Sequence, residues 1–126
     1  MSLKAIVLAG SILAATAVAA HAHGKASAKG PHGGAVTHAG NYHVELVTKG
    51  TTVDLFVTDG KDRPVPANGM QATALLVVKG KPQRVTLEPA EGSRLSGEAL
   101  VPLPARVKGA VRLTGPNGKT AQGKFN

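Results

Sequence analysis

Short runs alternating apolar with polar residues, turn residues recurring at roughly 8–12-residue spacing, and no helical apolar period beyond the first ~20 residues predict an all-β fold. The 126-residue chain holds 16 Gly and 8 Pro, enough turn formers to separate many short strands. The predicted architecture is a small antiparallel immunoglobulin-like β-sandwich of about seven strands. A closed barrel is the competing arrangement. Cysteine is absent, so packing alone has to hold the sandwich together.

Residues 1–20 are expected to be a signal peptide outside the fold. Lys4 makes a basic start, Ala5–Ala20 is almost wholly apolar, and Ala17-Val18-Ala19-Ala20 supplies small residues for cleavage. Cleavage after Ala22 is the alternative, because Ala20-His21-Ala22 is also an A-x-A site. The apolar run is short for a bilayer span, which needs ~20 residues, so no stable span is expected after cleavage. No Cys stands there to carry a lipid anchor. The mature protein is therefore expected in the periplasm. Residues 21–31, HAHGKASAKGP, are small and polar and predict a flexible His-containing tail. Residues 32–126 form one β-sandwich domain by the length prior.

Seven strands follow in order. Tyr42–Val47 alternates, with Tyr42, Val44 and Leu46 on one side and His43 and Glu45 on the other. Gly50 predicts a hairpin into Thr52–Thr58, where Val53, Leu55 and Val57 point inward. Asp59–Gly69 is a turn-rich loop. Gln71–Lys79 reads as a buried strand, turned by Gly80-Lys81-Pro82. Arg84–Glu88 presents Val85 and Leu87 on one face. Pro89–Ser93 is a loop, and Arg94–Val101 is a strand with Gly97 as a candidate bulge. Pro102 and Pro104 end it. Arg106–Thr114 leads to Pro116-Asn117-Gly118-Lys119, where Asn-Gly suits a turn needing positive φ at both centres. Thr120–Phe125 returns.

The histidines are placed unevenly. Of five in the chain, His32, His38 and His43 fall within Pro31–Val47, His21 and His23 lie just upstream, and none follows His43. Imidazole is the commonest metal ligand. His43 and Glu45 project together at i and i+2, about 6.5–7 Å apart. His38 is placed in a turn-like stretch, Thr37–Asn41, before that strand, and His32 precedes Gly33-Gly34, where the backbone can fold back. His32, His38, His43 and Glu45 are thus candidate ligands for one divalent transition-metal ion, with Cu, Ni, Zn and Co all suiting imidazole and carboxylate. The spacing matches no zinc finger or zincin. A solvated strand face is the alternative for His43 and Glu45. Cleavage after Ala20 would start the mature chain at His21-Ala22-His23. A free amine, backbone amides and a third-position His would then make a square-planar Cu(II) or Ni(II) site. Cleavage after Ala22 removes it.

Other classes fit poorly. Without Cys there is no thiolate nucleophile, Cys-type zinc site or iron–sulfur cluster. Met70 is the sole methionine beyond the signal, too little for a thioether copper(I) site. No G-x-S-x-G elbow or H-E-x-x-H helix occurs, so no enzyme is predicted. Asp59, Gly60 and Asp62 lack the acidic spacing of a calcium loop. The formal charge is +8, or +7 without Lys4 (8 − 1). The basic residues are dispersed, and Tyr42, Phe56 and Phe125 are too few to stack bases, so nucleic acid is not an expected partner.

The runs HGGAVTHAGNYHVELV, LFVTDGKDRPVPANG and VTLEPAEGSRLSGE resemble small exported proteins of bacterial heavy-metal resistance and efflux. They also resemble the small N-terminal domain of periplasmic adaptor subunits in heavy-metal resistance-nodulation-division pumps. The resemblance covers most of residues 31–101. It implies a β-sandwich and a periplasmic metal-handling role, with an efflux-pump component as a partner. His32 matches the His-Gly-Gly histidine and Glu45 the strand glutamate; His38 and His43 match more loosely. The coiled-coil, lipoyl and barrel domains of an adaptor are missing here, so bridging two membranes is not implied. The expected function is binding, buffering or chaperoning of a divalent transition metal. The alternative is a metal-free interaction module docking on an efflux or envelope partner.

Overall fold

A computed structural model describes residues 28–126. The expected signal peptide, its cleavage site, His21 and His23 lie outside the described residues. Among the described residues nine strands are formed: β1 (Ala28–Lys29), β2 (Ala35–Ala39), β3 (Tyr42–Lys49), β4 (Thr52–Thr58), β5 (Gln71–Val78), β6 (Lys81–Pro89), β7 (Arg94–Glu98), β8 (Lys108–Thr114) and β9 (Thr120–Phe125). All pair antiparallel in the order β1-β2-β3-β4-β7-β6-β5-β8-β9. The all-β class is as expected; the count of seven becomes nine. β1 falls where a flexible tail was expected, Ala28 pairing with Val36 and Lys29 with Ala35. β2 was hidden because its inward residues, Ala35, Thr37 and Ala39, are small and give no strong alternation. Among the described residues no helix is long and apolar enough to cross a membrane.

The sheet curls into a half-barrel around one core. β6 pairs with β5 along most of its length, from Val78↔Lys81 to Ala72↔Leu87. It meets β7 only at Glu88↔Ser96 and Pro89↔Leu95. That short junction joins two halves into one continuous strand order. Val44, Val53, Leu55, Val57 and Leu95 from one half meet Ala74, Leu76, Val85, Leu87, Val111 and Phe125 from the other, all essentially inaccessible. β2, second in the strand order, and β9, last in it, nevertheless touch. Gly123 permits this: a Cβ there would lie 2.8 Å from Thr37 Cγ2 and 2.9 Å from His38 O.

Several boundaries move for local reasons. β5 is buried on one face only, with Ala72, Ala74 and Leu76 inside and Leu75 and Val77 outside. The turn after it is Lys79-Gly80, with φ of 50° and 76°, so Lys81 and Pro82 already belong to β6. This is where a two-residue turn with two positive φ values occurs. The Asn-Gly hairpin is different: only Gly118 has positive φ, at 80°. Gly115 N donates to Lys119 O at 2.8 Å and Gly118 N to Gly115 O at 3.0 Å. Pro116 and Asn117 form the turn and Gly118 supplies the left-handed residue of a three-residue loop.

Candidate functional site

Alternation along β3 sends Val44 and Leu46 into the core and His43 and Glu45 to the opposite face, as expected. The alternative reading, a solvated strand face, fails at Glu45, which is only 4% exposed. The cause is the chain before β2. Gly30 N donates to Gly34 O at 2.8 Å and Gly33 N to Gly30 O at 3.0 Å, a tight turn that folds His32 back over β3 and β4. The His32 ring stacks on Phe56, centroids 3.7 Å apart and planes 6° from parallel. Phe56 is the cross-strand partner of Glu45. Gly30 is needed for the cover, since a Cβ there would overlap the Glu45 carboxyl carbon.

The buried carboxylate is fully engaged. Oε2 accepts from His32 N at 2.8 Å and Gly34 N at 2.9 Å. Oε1 lies 2.7 Å from His32 Nδ1. A carboxylate only accepts hydrogen bonds, so Nδ1 is the donor and Nε2 is the ring nitrogen that Glu45 leaves open. Three donors offset the cost of burying the charge. Among the described residues no buried side-chain polar atom lacks a partner.

A second His–carboxylate pair sits nearby on the same face. His43 Nδ1 is 2.9 Å from Asp62 Oδ1, with the His43 side chain 23% exposed. His38 is a β2 residue, not part of a turn; the turn is confined to Gly40-Asn41. Its register partner is His43, and the two rings meet edge to face at 4.4 Å. Asp62 is presented by a loop that Asp59 organises. Asp59 Oδ1 accepts from Lys61 N at 2.8 Å and Arg63 N at 3.0 Å, and Oδ2 from Arg63 Nε at 2.9 Å. The backbone bonds from Arg63 and then Lys61 hold the Asp59 carboxyl below its usual range. Asp59 is thus used by its own loop.

His32, His43, Glu45, Phe56 and Asp62 line one open groove of about 580 Å³. His38 abuts His43 outside that lining. The convergence of His32, His38, His43 and Glu45 on one ion is not what the fold presents. Among the described residues, no group of three or more His, Asp or Glu side chains is arranged to hold a metal ion. The candidates form two pairs instead, each with imidazole Nδ1 on a carboxylate. His21 and His23 lie outside the described residues. Phe56 and Asp62 were not among the predicted site residues. Phe56 carried a signal: in a strand whose inward set is Val53, Leu55 and Val57, an outward aromatic implies that something covers it. Asp62 carried none, because its partner lies 19 residues away in sequence. No protein-family model, curated protein or solved structure matches the chain.

Proposed function

We propose that this is a periplasmic, non-enzymatic protein that binds a divalent transition metal (Cu, Ni, Zn or Co) as cargo, for buffering or delivery in metal efflux or resistance. One observation carries the reading: His32 and His43 line one groove, each with Nδ1 held by a carboxylate. Metal-ligating histidines characteristically donate their second ring nitrogen in this way, which orients the ring and raises its basicity. In this reading His32 and His43 bind through Nε2, His38 joins by rotating toward His43, and Glu45 and Asp62 act behind the ligands. Glu45 is unsuited to direct ligation because both of its oxygens are already occupied. Two or three imidazoles bind weakly and exchange readily, as buffering requires. An immunoglobulin-like sandwich is the finer description of the curled sheet and belongs to the same proposal.

Calorimetric titration with Cu(II), Ni(II), Zn(II) and Co(II) tests this. We expect a dissociation constant tighter than about 100 μM for at least one ion, lost in His32→Ala/His43→Ala. Affinity should weaken roughly tenfold or more from about pH 7.5 to about pH 5.5, because protons compete for imidazole. Binding that survives the double variant but vanishes in His21→Ala/His23→Ala moves the site to the upstream segment. No binding tighter than about 100 μM leaves the second reading, a metal-free interaction module docking on an efflux or envelope partner. That reading is favoured by Glu45 being satisfied entirely by protein donors.

A further inference from the structure

The outer face of β5, β6, β8 and β9 carries a patch that the metal reading leaves unused. Leu75 and Val77 are each 45% exposed there, although their neighbours Ala74 and Leu76 are in the core. Strand register places Arg84 on one side of Leu75 and Ala110 on the other, with Lys124 beyond Ala110. Val77 lies between Pro82 and Lys108, and Arg112 stands one row away beside Thr73. Strands are ~4.8 Å apart and same-face residues ~7 Å apart along a strand, so these groups share an area roughly 15 Å across. Four cations therefore surround two bare aliphatic side chains. Among the described residues none of the four makes an ion pair. Among the described residues no side-chain carboxylate falls within these rows; Glu88, on the same face of β6, lies beyond them opposite Ser96.

We propose that this face docks on an anionic lipid bilayer. The four cations would meet headgroup phosphates, with Leu75 and Val77 at the level where headgroups give way to acyl chains. Attachment to an anionic surface strengthens with each cation near the headgroups and with the apolar area buried beside them, and this patch offers both. Nucleic acid would satisfy the cations and leave Leu75 and Val77 unused. Protein interfaces draw on aromatic residues at their centre, and this patch has none.

Co-sedimentation of the full chain with vesicles decides the matter. Phosphatidylcholine vesicles measure any affinity that comes from elsewhere, including the apolar Ala5–Ala20 run. Phosphatidylcholine–phosphatidylglycerol vesicles measure the patch. We expect tighter binding to the anionic vesicles, weakened by salt, and reduced roughly tenfold or more by Arg84→Glu/Arg112→Glu. Lys61→Glu/Lys119→Glu lies elsewhere and lowers the net charge equally, from +8 to +4 (8 − 4), yet should leave binding within about twofold of the parent. Leu75→Asn/Val77→Thr should weaken binding to anionic vesicles roughly threefold or more at unchanged charge. It also keeps the test open should the charge-reversed protein fail to fold, which thermal unfolding reports. Equal binding of the parent to both vesicles overturns the proposal, as does equal loss in the two charge reversals. Tighter patch-dependent capture of an acidic polypeptide or duplex DNA would assign the face to that partner and overturn it too.

Discussion

Glu45 joins the two ends of the site's logic: its side chain is buried by the same segment that supplies its hydrogen-bond donors. Removing the carboxylate strands two backbone N–H groups and one ring nitrogen under the His32 cover. We predict that Glu45→Ala destabilises the protein by roughly 2–4 kcal/mol, because buried donors left unpaired lose their full solvation. Glu45→Gln keeps one carbonyl oxygen for His32 N and Gly34 N. Its amide can donate to His32 Nδ1 once the ring proton moves to Nε2, so the expected cost is about 1 kcal/mol. Urea unfolding of the two variants checks this, and equal losses would show that the acceptor geometry is not what matters. Strand alternation placed His43 and Glu45 together on the face away from Val44. It was blind to the cover, because burial of Glu45 depends on a turn at Gly30–Gly34 and on Phe56, a strand away.

Among the elements, β2 and β9 decide whether the curled sheet closes on its core. Ala39 and Ala121 are small, and Gly123 lets the β9 backbone approach Thr37 and His38. Gly123→Ala should therefore push the two strands apart, at a cost of roughly 1–3 kcal/mol for an overpacked contact. Gln122→Ala, one residue earlier and facing outward, should stay within about 0.5 kcal/mol of the parent. A comparison of their denaturation midpoints tests the approach; if Gly123→Ala is neutral, β2 and β9 are looser than described. The long strands with Val and Leu at every second position were legible. β1 has two residues and no pattern of its own, and β2 has only small inward residues, so neither announced itself. The doubly positive φ pair expected at Asn117-Gly118 falls instead at Lys79-Gly80, while Pro116 predisposes its own turn to a single left-handed glycine.

At the scale of the whole molecule, acid sensitivity should come from ordered surface carboxylates. Glu98 accepts from Thr51 Oγ1 at 2.7 Å and Thr52 Oγ1 at 2.8 Å, and these bonds hold its carboxyl below the usual range. Asp59 is lowered by the backbone N–H groups of Arg63 and Lys61. A carboxyl whose pKa is depressed on folding stabilises the fold above its unfolded value and loses that contribution as pH falls through the folded value. With unfolded references of ~3.9 and ~4.3, this part of the stability should be flat above about pH 5 and decline below about pH 4. Urea midpoints measured across that range should fall on the acid side, and Asp59→Asn/Glu98→Gln should flatten the fall. A parent and variant with the same acid slope would assign the loss to other groups or to repulsion within a chain of net charge +8.

By itself the sequence determined the all-β class, the central strands, the inward and outward sets along each, and the clustering of histidine at the start of the domain. These are local properties: period-two alternation and turn residues act within a few positions, and three-dimensional context need not be known. What only the tertiary structure decided is which of those residues meet. His32 reaches Glu45 across 13 residues and His43 reaches Asp62 across 19, through a folded-back turn and a loop whose paths depend on the assembled sheet. The same dependence made two His–carboxylate pairs where a single four-ligand cluster was expected. It also gathered Arg84, Lys108, Arg112 and Lys124, dispersed along the chain, onto one face. Strand register is a long-range choice, set when the core packs, and no nearest-neighbour pattern in the chain encodes it.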